Sequence, residues 1–183
     1  ERYGLDVVPG IEIRSDDPGQ ASGLVGNYRS KRTIVCVHGG SLNRFAVEQP
    51  AVDVLAHPMR DGDINHVIAR TAAENGVHLE FNFARVLRAD GGERVQAIQG
   101  LRKLRELTEK YDAPYVVSAD ARSHLQLRAP RELLAVGETI GFDREAVAAG
   151  LDAWAGLVER NRDRQSDTFL EPGVRIERRE ENC

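Results

Sequence analysis

The chain is poor in several things at once. Its 183 residues include 2 cysteines, 1 methionine, 1 tryptophan and only 5% aromatic residues. Cys36 lies inside an apolar run and Cys183 is the last residue, so no disulfide framework can form and a reducing, cytoplasmic compartment is expected. No apolar run approaches the roughly 18 residues of a membrane-spanning helix, and no charged-then-apolar leader marks a signal peptide. The first residue is Glu1 rather than methionine, which suggests a trimmed or partial sequence. Lysine is nearly absent: Lys31, Lys103 and Lys110 stand against 22 arginines. Coding composition alone can produce that bias, although the planar arginine fork also suits phosphate. Glycine-rich phosphate loops, G-x-S-x-G elbows, paired C-x-x-C and H-E-x-x-H are all missing, which removes the commonest nucleotide, esterase and zinc signatures.

What is present is 41% hydrophobic and 30% charged, with a net charge of −4. That is too aliphatic and too evenly balanced for disorder. Five short apolar runs bounded by turn formers read as strands: Leu5 to Ile13, Thr33 to Val37, Val52 to Ala56, Val77 to Phe83 and Pro114 to Ser118. Helical patterns separate or follow them. Asp63 is positioned to cap a helix carrying Ile64, Val67, Ile68 and Ala72, stopped by Asn75-Gly76. Glu93 to Tyr111 places Ile98, Leu101, Leu104, Thr108 and Tyr111 on one face. Pro130 opens a helix closed by Gly141, and Asp143 caps a last one through Val147, Leu151, Trp154 and Val158. Strands alternating with helices predict an α/β fold with a largely parallel sheet.

Polar residues fall at the ends of these runs. Glu12 with Arg14, His38, His57 and Asp120 lie at or just after four of them, and Glu80 and Asn82 close the remaining one. Barrel enzymes collect their sites at that carboxyl face, whereas an open sheet concentrates them at one crevice. Spread over every strand, the pattern favours a barrel. Each residue taken alone more often serves a turn or an ion pair. His66 and His78 sit inside a helix and a strand and read as structural.

The segments Gly10-Ile11-Glu12-Ile13, Ala56-His57-Pro58 and Ser118-Ala119-Asp120-Ala121 resemble motifs of the polymerase-and-histidinol-phosphatase (PHP) superfamily. The resemblance implies a (β/α)7 barrel of the TIM type with metal ions at its strand ends. The ligand pattern is broken, however. Arg122 stands where those enzymes carry a second histidine, His124 lies two residues on, and the opening H-x-H strand is absent. Glu12, His57 and Asp120 remain as vestigial metal candidates, too few for a two-metal site.

From residue 3 to about 172 the chain more closely resembles the archaeal ribonuclease P protein component 3 family. The match runs through Val52-Asp53-Val54-Leu55-Ala56-His57-Pro58, Ser118-Ala119-Asp120-Ala121-Arg122-Ser123 and Arg128-Ala129-Pro130-Arg131-Glu132-Leu133. It implies a PHP-like barrel, lacking its first strands, placed over 1–160; after Arg160 the helical pattern itself dissolves into charged residues with Phe169 and Leu170, which reads as a charged tail over 161–183 that docks briefly and then frays. It also implies a non-catalytic subunit that assists an RNA enzyme in removing the 5′ leader of precursor tRNA. Magnesium would act through the RNA subunit, with no cofactor, metal or catalytic residue in the chain itself. The implied partners are ribonuclease P RNA, protein component 2, the other protein subunits and precursor tRNA, with no membrane. An acidic chain binding RNA needs segregated charge. Ala84 to Arg105 holds six basic residues against Asp90 and Glu93, and Arg122 to Arg131 holds three arginines and no acid; Arg85, Arg88, Arg122, Arg128 and Arg131, which follow two strand ends, are the candidate RNA contacts. Scarce aromatics favour backbone and shape contacts over stacking. The alternative is a stand-alone PHP-type phosphoesterase using Glu12, His57, Asp120 and either His38 or His124.

Overall fold

A computed structural model describes residues 4, 6–60, 64–166, 169–171 and 174–175. Five strands form where the apolar runs lie, trimmed at their ends: β1 (Gly10–Ile13), β2 (Ile34–His38), β3 (Val54–Ala56), β4 (His78–Asn82) and β5 (Tyr115–Ser118). They pair in the order β1-β2-β3-β4-β5, every pair parallel. Strand order therefore never reverses, and the sheet has no switch-point crevice of the doubly wound kind. Register puts Glu12 beside Cys36, Cys36 beside Val54, Val54 beside His78, and Glu80 beside Val116. Because side chains alternate, these residues share one face of the sheet.

Among the described residues, seven α-helices join or follow the strands: α1 (Pro18–Arg29), α2 (Asn43–Glu48), α3 (His66–Asn75), α4 (Ala84–Arg88), α5 (Gly91–Tyr111), α6 (Pro130–Ile140) and α7 (Arg144–Arg164). Three of them, α1, α2 and α4, have no counterpart among the expected helices. Only Ala21 and Val25 of α1 are buried, so its glycine-rich sequence shows no apolar stripe. A local signal did exist. Asp17 accepts the Gln20 N–H at 2.6 Å and Pro18 follows at the first helical position. The expected Asp63 cap lies outside the described residues. Asn65 caps α3 instead, its side-chain oxygen accepting from the Val67 and Ile68 amides. Gly76 and Gly141 end α3 and α6 in left-handed conformations, as the sequence predicted.

The last helix departs further from expectation. It continues to Arg164, past the boundary placed at 160, because Asn161 is buried and hydrogen-bonded to the body. Beyond it, β6 (Phe169–Glu171) pairs antiparallel with β7 (Val174–Arg175), where a fraying tail was expected; Cys183 lies outside the described residues.

Two apolar layers sandwich the sheet. Val35, Val37, Leu55, Leu79 and Phe81 point into the larger core formed with the connecting helices and α6. Ile34, Val54 and Val116 point the other way, against Leu157, Trp154 and Val158 of α7. The Pro114 carbonyl accepts the Leu79 amide of β4, the Ser118 carbonyl accepts the Phe83 amide just past that strand, and the intervening Val117 carbonyl accepts the Trp154 indole N–H at 2.9 Å. Thus α7 covers the amino half of the inner face and satisfies the outer edge of β5.

A buried carboxylate fastens the amino end. Asp53, just before β3, has a side chain 2% exposed. It accepts from Arg29 at 2.6 Å, Arg160 at 2.9 Å, Asn161 at 2.9 Å and the Val35 amide at 2.8 Å. One carboxylate thereby ties α1, β2, β3 and α7 together.

Candidate functional site

The carboxyl half of the inner face is left to polar residues. Glu12 on β1, His38 on β2, and Glu80 and Asn82 on β4 rise from the sheet, while His57 and Asp120 stand in the turns after β3 and β5. Both turn residues take left-handed backbone, φ 51° at His57 and 41° at Asp120. Non-glycine residues adopt that region only where surroundings impose it. At His57 the cause is visible: its amide donates to Glu80 at 2.9 Å, and Glu80 is itself held by the Ser118 hydroxyl at 2.6 Å and Asn82 at 3.1 Å. Gly39 completes the arrangement. A Cβ there would lie 2.7 Å from Asn43 Oδ1, 2.8 Å from the His57 carbonyl and 2.9 Å from Pro58 Cα, so only glycine lets the β2 and β3 turns meet.

Glu12, His38 and His57 converge. His38 Nδ1 is hydrogen-bonded to Glu12 Oε1, His57 Nε2 lies 3.8 Å from the same oxygen, and the two imidazole centroids are 4.9 Å apart. Arg14 takes the other oxygen of Glu12 at 2.9 Å. Burial pushes the Glu12 carboxyl up, but the Arg14 and His38 bonds outweigh it and hold the group below its ordinary value of 4.5. Cys36, next to Glu12 in register, is half-buried, and desolvation pushes its thiol up, away from the thiolate form.

Of the vestigial metal candidates, then, Glu12 and His57 meet and Asp120 does not join them. Asp120 instead faces arginines: Arg122 at 3.5 Å and Arg88 at 4.0 Å. His38 takes its place in the cluster, a residue the sequence marked as a strand end and as one of two histidines that could join Glu12 and His57 in the phosphoesterase alternative. His124 lies exposed in a 3-10 turn (His124–Gln126).

Beside this cluster opens a groove of about 770 Å³ at the ends of β3, β4 and β5. Arg60, Arg85, Arg88 and Arg122 line it together with Glu80 and Asp120. Three of the five candidate RNA contacts are therefore gathered at one mouth. Arg88 is spoken for structurally, donating to the Ala119 and Asp120 carbonyls at 3.0 Å each. Arg85 and Arg122 are exposed. Arg128 is turned onto its own loop, donating to the Leu125 and Leu127 carbonyls, and Arg131 is exposed in the first turn of α6. Sequence reasoning paired Arg14 with Glu12 at a strand end but did not count it among the RNA contacts, and it missed Arg60. Each lies just past a strand end, where Arg85 and Arg122 were also found.

Fold and site define an α/β protein whose polar centre sits at the carboxyl ends of a parallel sheet, possible metal ligands inward and arginines at the rim. The family model for RNase P subunit p30 matches residues 1–166, and the chain belongs to that family. Its sequence is 77% identical over 176 residues to ribonuclease P protein component 3 of Natronomonas pharaonis, covering 96% of this chain and 75% of the relative. It is 65% identical over 180 residues to the same component of Haloarcula marismortui, covering 97% and 77%. Among solved structures it is similar to a chain of the cryo-EM structure of archaeal ribonuclease P with mature tRNA, with a TM-score of 0.87 and 30% identity over 99% of this chain and 80% of that one. No helix among the described residues is long and apolar enough to cross a membrane.

Proposed function

We propose that the chain is a protein subunit of ribonuclease P that assists the RNA subunit in removing the 5′ leader from precursor tRNA, in the cytoplasm where that substrate is made. The observation that carries this reading is the near-complete match to a chain of a tRNA-bound archaeal ribonuclease P, at a TM-score of 0.87. The site agrees with such a role. Its reactive groups have neighbours that oppose nucleophilic use: desolvation pushes the Cys36 thiol up, Glu12 is paired with Arg14, and Asp120 faces Arg122. The chemistry is the RNA's, with magnesium bound there. The partners are ribonuclease P RNA, protein component 2, the other protein subunits and precursor tRNA.

The five sequential parallel strands, with a shared inner face and polar carboxyl ends, support a PHP-like (β/α)7 barrel to which the described residues contribute five strands. In that arrangement Arg85, Arg122 and Arg131 offer guanidinium groups to phosphate, while Arg88 and Arg128 shape the loops that present them. Reconstitution tests the proposal. Ribonuclease P assembled from the RNA and remaining proteins, with and without this chain, is assayed for precursor tRNA cleavage across magnesium concentrations. The chain is expected to raise cleavage at limiting magnesium. If neither rate nor magnesium demand changes, the assignment fails.

A further inference from the structure

The PHP resemblance implies metal ions at these strand ends, and the donors present can be tested for fit. One oxygen of Glu12, one ring nitrogen of His38 and one of His57 all lie within 4.8 Å of one another, on three different strand ends. Two imidazoles and one carboxylate suit a single first-row transition ion, completed by water. A second ion does not fit. Asp120, the next carboxylate around the mouth, faces Arg122 and Arg88, and Arg14 occupies the outer oxygen of Glu12.

The surroundings carry a further mark of a metal site. Bound histidines usually present their other ring nitrogen to a carboxylate, which fixes the ring and its tautomer. The Nε2 of His57 faces Glu12 at 3.8 Å while its Nδ1 faces Glu80 at 3.9 Å, and Glu80 already accepts the His57 amide at 2.9 Å. Ser118 and Asn82 hold Glu80 in turn. His57 is thus fixed from behind in a left-handed conformation that turns its imidazole toward Glu12 and His38.

We infer that Glu12, His38 and His57 bind one divalent transition-metal ion per chain, which cross-links the carboxyl ends of β1 and β2 to the turn after β3 and steadies the arginine-lined mouth. The ion replaces the Glu12–His38 hydrogen bond with a shared centre. Its role is positional. The inference does not depend on the ribonuclease P reading, because its readout is metal binding by the chain alone.

The test uses untagged full-length chain, stripped with chelator and titrated with zinc and, separately, with cobalt(II) as a spectroscopic probe. One zinc per chain by elemental analysis, a visible cobalt d–d band of low-coordinate intensity and a raised Tm are expected. Glu80→Gln should keep that stoichiometry but weaken binding roughly 10–100-fold. Asp120→Asn should leave it at one ion, and His38→Gln should abolish the cobalt band. No stoichiometric ion, two ions, or binding that survives both His38→Gln and Glu12→Gln overturns the proposal; the last result would trace the ion to exposed His66 or His124. Circular dichroism checks that each variant folds. Should His38→Gln not fold, the Glu80→Gln affinity decides: unchanged affinity overturns the site.

Discussion

The two ends of the same sheet hold polar clusters built to opposite specifications. At the amino end, Asp53 is 2% exposed and is met by four donors from three other elements, so its charge is neutralised and almost wholly bonded. At the carboxyl end, the Glu12 side chain is 29% exposed, the backbone at His57 and Asp120 is strained, and a groove opens alongside. A buried charge is tolerated only when fully paired, and such pairing leaves it nothing further to bind. Unspent donors and strained turns are tolerated where a ligand or partner completes them. The amino end is closed by its own pairing, whereas the carboxyl end keeps polar groups open to the groove.

The comparison can be broken most forcefully at Asp53. Asp53→Ala leaves Arg29 and Arg160 without their shared carboxylate and should cost about 3–5 kcal/mol, read by urea unfolding. Loss of under about 1 kcal/mol, the range of surface pairs, would show that the clasp is not the anchor of α7. Next in size is Gly39→Ala at the other end. Its Cβ would sit under 3.0 Å from backbone of the His57–Pro58 turn, so a cost of about 1–3 kcal/mol is expected, with the His38 and His57 imidazole NMR signals displaced. Unmoved signals would mean the two turns are not mutually fixed. A smaller, functional effect is expected from Arg122→Ala. Unfolding midpoints should stay put, while precursor tRNA binding by the reconstituted enzyme weakens and its salt slope falls by about one. An unchanged slope removes Arg122 from the RNA contacts.

The smallest effect distinguishes the ends by pH. Burial, with Arg160 nearby, lowers the His78 imidazole below its ordinary 6.5, and this residue lies at the amino end of β4. The unfolded chain binds the proton more readily, so stability is complete above pH 6.5 and declines as pH falls below it toward the lowered folded value. Glu12 acts on the other end with the same sign in a lower window. Its contribution is present above 4.5 and is lost as pH falls through its lowered folded value. Stability measured against pH should show the upper decline vanish in His78→Gln and only the lower one soften in Glu12→Gln. If the upper decline survives in His78→Gln, the histidine is not its source.

Much of this molecule was legible residue by residue. The five apolar runs, the Asn75-Gly76 and Gly141 stops, the Asp143 cap and the polar strand ends all appear where local pattern puts them. Helix α1 was missed because an amphipathic stripe is the usual signal and its glycine-rich body has none; packing on β1 and β2 supplies what the pattern lacks. The termination of α7 was misjudged for a related reason, since Asn161 reads as a surface residue until Asp53 and Thr33 are seen beneath it.

By itself, then, the sequence determined the five strands and helices α3, α5, α6 and α7, and that polar side chains gather at one end of the sheet, because strand and helix periods are local and alternation fixes which residues share a face. Tertiary structure alone decided the partners. It put His38 rather than Asp120 with Glu12 and His57, turned Arg88 onto loop carbonyls, and joined Asp53 to Asn161 across 108 positions of chain. Those choices depend on inter-strand register and on two left-handed turns, and neither is written in the spacing of residues along one segment.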